Sequence, residues 1–542
     1  MAVAEFDTII IGAGSAGCVL ANRLGEDQAK SILVLEAGGL DNHWLLRLPI
    51  GVAKVWNAPR FNWAYQSEPE PFADNRSIYH PRGKVVGGSS SINMMAYVRG
   101  NRRDFDRWRQ KGLDGWSYAD VLPYFKRAER WEGGGSTYRG NRGPLRTQKG
   151  RAQDPVFTAL LAAAPQLGYG VNEDFNGASQ DGFTRMQFTA GDGRRYSAAR
   201  AYLHPAIARG NVALETNALV TGLLFEGKRV VGVEYLQYGN RREARAREVI
   251  LSGGAFNSPQ LLLLAGIGPA EELARVGVTP RVDLPGVGKN LQDHTAIRLG
   301  YARKSPSRIR TELRLDRLTV SMLQAIFFRT GFAADPPGGM TAFVKSAPEQ
   351  DIPDLQLFIN NAALIAHEWF PGWRPPAYDG FTMRACHLRP ESRGSVTLAS
   401  SDPTVKARVL NNFLSTDADR RALRSAFKIL RSIVASAPFV PIMANELAPG
   451  TQVQSDAEID AFIRQTLDTV YHPVGTCRMG KDEGAVVGLD FRVRGVEGLR
   501  IVDASVFPDL TGGNINAVVM MVAEKASDII RGRAPLPAEE AA

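Results

Sequence analysis

A β-branched run, Phe6 to Ile11, leads directly into Gly12-Ala13-Gly14-Ser15-Ala16-Gly17, and a helical pattern follows over Cys18 to Leu24. No other stretch limits the fold as tightly. Strand, glycine turn and helix in this order set a helix N-terminus, with its unpaired N–H groups, at the carboxyl end of a strand, which is where a pyrophosphate binds. Gly12 permits the tight turn, Gly14 lets a ligand approach the backbone, and Gly17 lets helix and strand pack closely. A second strand over Ser31 to Leu35 ends in Glu36, with Ala37 beyond it, at the spacing where a carboxylate accepts hydrogen bonds from a ribose. A carboxylate there disfavours a 2′-phosphate, so the pattern fits NAD or FAD and argues against NADP.

At 542 residues the chain exceeds what one core supports, and two domains are expected. Its composition, 44% hydrophobic and 22% charged, is that of a soluble globular protein. The formal charge of +9 is spread as interspersed Arg and Lys without a basic tail, which argues against a nucleic-acid partner. A basic surface is compatible with membrane association but does not indicate it. Cys18, Cys386 and Cys477 are too few and too scattered for a disulfide framework or a zinc site, so no metal is expected and the compartment reads as reducing, with cytoplasm the default. Glu5 and Asp7 precede an apolar run that flows into the glycine turn, so the N-terminus reads as a strand and not a signal peptide. The longest uncharged stretch, Leu251 to Ala270, contains Gly, Asn and Pro and lacks spanning character.

Further segments carry chemistry. Arg82 to Asn93 combines a basic pair, Gly87-Gly88 and a serine cluster ahead of Met94 to Arg99, which suits close backbone approach to a flat ring or a phosphate. Glu248 to Leu251 is a buried strand ending in small residues, and Ser258-Pro259 reads as the cap and first turn of a helix. Gly288 to His294 follows, and Leu499 to Val502 is a late strand ended by Asp503. Near the C-terminus stand Tyr471-His472-Pro473-Val474-Gly475-Thr476 and Gly513-Asn514-Ile515-Asn516-Ala517, the latter opening an apolar helical run with Asn516 as its expected cap.

These motifs in this order resemble the glucose-methanol-choline (GMC) family of FAD oxidoreductases over nearly the whole chain. The resemblance implies an α/β fold: a discontinuous FAD-binding Rossmann-like domain (1–155, 196–300 and 466–542) with an inserted α+β substrate domain containing an antiparallel sheet (156–195 and 301–465). It implies an extended FAD whose adenine end lies at Gly12 to Gly17, Glu36 and Val220. The flavin ring would lie near Gly87 and Asn93 to Ala96, with Asp503 and Ala504 near the phosphate and ribityl chain. Some members tether FAD through a histidine after the Gly-Gly-x-Ser-Ser segment; Ile92 stands there in this chain, so the flavin is expected to be non-covalent.

An FAD-dependent alcohol oxidoreductase is the function this implies, as a dehydrogenase or an oxidase with oxygen or a quinone-type carrier as acceptor. His472 is the expected base, because an imidazole is neutral near working pH, and Asn514 the expected donor to the alcohol oxygen. His294 is assigned to a structural turn and Cys477 to packing. The helix after Asn516 is expected to aim its positive end at the flavin. Arg314 to Phe332 reads as one side of a packed amphipathic helix, with contact to a membrane or a hydrophobic substrate as the alternative, and Trp369 to Pro376 as a rigid aromatic loop able to gate the pocket. Thr295 to Lys304 supplies Arg298, Arg303 and Lys304 but no carboxylate, which favours a neutral primary alcohol over choline. The alternative is an FAD-containing hydroxynitrile-lyase-like enzyme that uses the same histidine without net redox.

Overall fold

The computed structural model describes residues 5–363 and 365–540; residues 1–4, 364 and 541–542, which fall inside the expected domain ranges, lie outside the described part. Two seven-stranded sheets organise it. In the first, parallel strands stand in the order Val212–Thr216, Ile32–Glu36, Glu5–Ile11, Asn240–Leu251 and Leu499–Ile501. The first half of Asn240–Leu251 closes an antiparallel meander with Arg229–Gln237 and Ala218–Glu226, and its second half pairs with Glu5–Ile11. Ile9, Ile10, Leu33, Val34, Ile250 and Leu251 are buried, which is why these strands read as unbroken apolar runs.

The helix Asn516–Ile530 packs beside Ser15–Leu24 under this sheet, and Arg23 donates to the buried Glu524 at 2.9 and 2.8 Å. Asn516 was expected to be the cap, but Ile515 holds that position. The Asn516 Oδ1 instead accepts from Ser15 Oγ at 2.7 Å, tying the two helix starts together.

The second sheet is antiparallel: Met443–Ala448, Thr295–Arg303, Gly380–His387, Leu355–Asn360, Met340–Val344 and Gly182–Arg185, with Asp468–Thr469 pairing the start of Thr295–Arg303. Because side chains alternate along a strand, Ile297, Leu299, Leu357, Ile359, Met383 and Ala385 share one face. The helix Asp417–Ala435 covers that face with Leu423, Phe427, Leu430 and Val434, spaced three to four apart. The opposite face carries Arg298, Gln356, Phe358, Asn360, Thr382 and Arg384. The α/β class with an antiparallel second sheet agrees with the expectation.

Two further sequence-based expectations differ from the structure. Ser258 does not cap a helix; the helix runs Gly254–Leu264 with Pro259 inside it. Proline lacks the N–H that would bond the carbonyl four residues back. That carbonyl, on Ala255, accepts from Thr476 Oγ1 at 2.7 Å, so the helix tolerates the proline. Arg314 to Phe332 is helical over Leu315–Leu323, continuing in a wider turn to Phe328, but its apolar residues are not all packed: Val320, Leu323, Ile326, Phe327 and Phe328 are exposed. Inward-facing Ser321 and Ala325 are too small to draw the larger residues into a core. Among the described residues no helix is long and apolar enough to cross a membrane.

Candidate active site

A cavity of about 600 Å³ runs from the carboxyl ends of the parallel strands to the polar face of the antiparallel sheet. At one end its wall is Gly12, Gly14, Ser15, Ala16, Glu36, Ala37 and Val220; between the ends stand Asn93, Met94, Ala96, Asp503, Ala504 and Asn516, the last bonded to Ser15; at the other end stand His472 and Asn514. Gly17 and Gly87 do not line it. A Cβ on Gly17 would come within 2.0 Å of the Gly12 carbonyl oxygen, and one on Gly87 within 2.1 Å of Ser91 Oγ, so both glycines serve close packing behind the wall.

The fingerprint end is built for a dinucleotide. Gly12 turns at φ +102°, and a Cβ there would meet the Ser252 carbonyl oxygen at 2.6 Å, whereas a Cβ on Gly14 would meet no atom closer than 3.7 Å. Space is therefore kept at Gly14 on the cavity side. Glu36 accepts from the backbone N–H of Ala13 (3.0 Å) and Gly38 (2.8 Å), and burial pushes its carboxyl up to about 7. Glu36 also lines the cavity, and hydroxyl donors there would favour the ionised form. Asp503 is already committed, accepting from Gly254 N–H (2.8 Å), Ser258 Oγ (2.5 Å) and Ser505 N–H (2.7 Å), so it shapes the wall through its backbone. These residues could hold an extended FAD, with Glu36 available to a ribose and Asn93 to Ala96 to the ring. Among the described residues no cluster fits a metal ion.

At the far end, three side chains fix one proton pattern. His294 Nε2 lies 3.2 Å from the Leu388 carbonyl, which can only accept, so Nε2 carries the proton. Burial holds the His294 ring down to about 3, so it is neutral and its Nδ1 is an acceptor. His472 Nδ1, 3.0 Å away, must then donate. Burial, then the neighbouring His294, Arg82 and Arg384, keep His472 well below the ordinary histidine value, so its Nε2 is an unprotonated lone pair. Asn514 Nδ2 points at that lone pair from 3.1 Å, while its Oδ1 faces Gln356 Nε2 at 3.4 Å.

The backbone entering His472 is held under strain. Tyr471 sits at φ +68°, in the left-handed region that costs a non-glycine residue about 1–3 kcal/mol. Three bonds hold it there: Tyr471 N–H to Thr469 Oγ1 (2.7 Å), Arg82 Nη2 to the Tyr471 carbonyl (2.6 Å), and His472 N–H to Asp293 Oδ1 (2.8 Å). Asp293, pushed up to about 6 by burial, also accepts from Thr469 Oγ1 at 2.5 Å.

The structure brings His472, Asn514 and the fingerprint to one cavity and corrects the reading of His294, whose ring abuts the expected base. Sequence reasoning also missed Gln356, Arg384 and the buried Arg195, which donates to the Asn93 carbonyl (2.6 Å) and Asn93 Oδ1 (2.8 Å). None of these stands in a motif. Trp369 to Pro376 does not line the cavity; Trp369 Nε1 donates to the Arg310 carbonyl at 2.7 Å, which docks the loop on a neighbouring turn. Cys477 is a buried free thiol, as its packing role requires.

The chain is similar to several known proteins over nearly its whole length. A mitochondrial choline dehydrogenase of Mus musculus is 42% identical over 542 residues, covering 98% of this chain and 90% of that protein. An oxygen-dependent choline dehydrogenase of Sinorhizobium fredii is 44% identical over 535 residues, covering 98% and 96%. The crystal structure of pyridoxine 4-oxidase from Mesorbium loti superposes with a TM-score of 0.87 at 31% identity, covering 98% of this chain and 100% of that one. Aspergillus oryzae formate oxidase superposes with a TM-score of 0.90 at 25% identity, covering 98% and 99%. The N-terminal and C-terminal models of GMC oxidoreductase match residues 6–296 and 390–523, and the chain belongs to the GMC oxidoreductase family.

Proposed function

We propose that this FAD enzyme oxidises a primary alcohol to an aldehyde, with His472 as the base and Asn514 as the group that orients the hydroxyl. The observation that carries the reading is the fixed tautomer of His472, whose Nε2 lone pair faces the cavity beside the Asn514 amide. In this reading Nε2 takes the hydroxyl proton as the carbon–hydrogen bond breaks. Bound FAD supplies the acceptor for the hydride, at N5. Asn514 Nδ2 donates to the alcohol oxygen and favours the developing alkoxide, and Gln356 keeps the amide turned that way. The helix that starts at Asn516 presents its N-terminus to the same cavity, which favours negative charge on a reduced ring. The parallel sheet would hold the cofactor and the antiparallel sheet would wall the substrate. Oxygen or a quinone-type carrier would reoxidise the enzyme. Three free buried cysteines support a reducing, cytoplasmic setting. The relatives named above are dehydrogenases or oxidases, and the non-redox lyase alternative has no support from them.

Anaerobic addition of primary alcohols to the FAD-loaded enzyme is expected to bleach the flavin band, and His472→Ala is expected to slow bleaching by about 10²–10⁴-fold with FAD retained. Near-normal bleaching in that variant would remove His472 from the role. The pH profile has a definite sign. A base is competent when neutral, and the lowered His472 value means kcat/KM should persist as pH falls through about 6.5 and be lost only below it. A fall centred on the ordinary histidine value would contradict the burial argument. His294→Asn leaves an acceptor where Nδ1 stood, whereas His294→Leu leaves none; the Asn variant is expected to keep at least tenfold more kcat at equal flavin content. Equal loss in both would reduce His294 to packing. Ile92 is buried among Leu46, Val55, Phe61 and Val85, so acid denaturation should release all FAD to the supernatant; yellow precipitate would reveal a covalent link.

A further inference from the structure

The antiparallel sheet presents its polar face to the cavity in rows. Gln356, Cys386 and Ala296 form one row, Phe358, Arg384 and Arg298 the next, and Asn360, Thr382 and Gly300 the third. Gln356 is the residue that meets Asn514; the arginine row lies one pleat repeat, about 7 Å along the strands, from the row that holds Gln356, with Arg384 one strand and Arg298 two strands across from it. Arg298 and Arg384 are directly opposite in register, with Cβ atoms about 5 Å apart, and both line the cavity.

Their charge is only half compensated. Arg384 donates to the Thr469 carbonyl at 2.6 Å and lies 3.5 Å from Asp468, whose Oδ2 also accepts from Tyr471 OH at 3.2 Å. Arg298 is exposed to the cavity and has no hydrogen-bond or ion-pair partner among the described residues. The acids that line the cavity, Glu36 and Asp503, bond backbone and hydroxyl donors at the cofactor end, and Asp468 stands outside its wall. Two guanidiniums thus share one carboxylate. A cationic head would meet like charge here despite the aromatic walls of Trp56, Phe358 and Tyr471.

We infer that Arg298, with Arg384 behind it, forms an anion subsite, and that the substrate is an alcohol carrying a carboxylate a few bonds from its CH₂OH group. This rests on the alcohol oxidation proposed above and replaces the neutral alcohol expected from the sequence. A planar guanidinium fork donates two parallel hydrogen bonds to a carboxylate, and the spacing of rows and strands sets the distance between the two functional groups.

Straight-chain ω-hydroxycarboxylates of three to six carbons, their primary amides and choline should be compared as reductants of the anaerobic holoenzyme. One carboxylate is expected to exceed its amide at least tenfold in kcat/KM. Arg298→Gln should bring that ratio to about one through KM, and Arg298→Glu should shift preference to choline. Butanoate and pentanoate, which carry no oxidisable hydroxyl, give a readout independent of turnover. They should perturb the oxidised flavin spectrum with a Kd at least tenfold weaker in Arg298→Gln. If these anions bind through Arg298 while no alcohol reduces the flavin, the alcohol reading fails and the anion subsite stands. If amide or choline matches the best carboxylate, or anions bind equally without Arg298, the inference is overturned.

Discussion

The close contact of Gly12 with Ser252 is the constraint from which the rest of the site is assembled. Ser252 N–H bonds the Ile11 carbonyl at 2.8 Å, its Oγ donates to the Val502 carbonyl at 3.0 Å, and Val502 N–H returns to the Leu251 carbonyl at 2.9 Å. Three segments far apart in sequence therefore end at one point, and only a residue without a side chain passes between the first two. From that point the chain is carried outward in order. Gly475 and Cys477 bond the carbonyls of Ala504 and Ser505 (3.2 and 2.8 Å), and Thr476 caps the carbonyl that Pro259 leaves free, so His472 is positioned by the same junction that shapes the cofactor cradle.

The second half of the site is imposed on this frame by burial. An imidazole enclosed without a carboxylate partner stays neutral, and a chain of two such rings ending on a carbonyl has only one consistent proton arrangement. The strained turn at Tyr471 stays in place because Asp293, Thr469 and Arg82 each hold a different backbone group of it. Local strain and a fixed tautomer are thus two results of the same packing of the Tyr471 turn against Asp293 and His294.

What could be read from the sequence follows from what each residue is constrained by. Gly12, Gly14 and Glu36 are legible because a phosphate-binding turn and a ribose carboxylate force particular residue types at particular spacings, whereas His472 and Asn514 stand out only through the resemblance of the motifs around them to the GMC family. The class of fold was legible for the same reason. Gln356, Arg298 and Arg384 act by sharing a face across antiparallel strands, a relation set by register between strands about 30 to 85 residues apart, which no local pattern records. His294 was misread because its partner lies 178 residues away. The helix through Pro259 was misread because a tertiary donor, Thr476, supplies what the local rule says is missing. The exposed apolar side of Leu315–Leu323 shows that periodicity identifies a helix without saying whether anything covers it.

The central claim is that one event at the alcohol carbon feeds the flavin while His472 takes the hydroxyl proton. Anaerobic stopped-flow reduction with an alcohol deuterated at the carbinol carbon tests it most directly, run on the wild-type enzyme and on His472→Ala. The account predicts that flavin bleaching slows on C-deuteration in both proteins, and that the variant's lost rate is restored in part as rising pH supplies alkoxide without the base. Bleaching indifferent to carbon deuteration, or substrate consumed while the flavin stays oxidised, would contradict it.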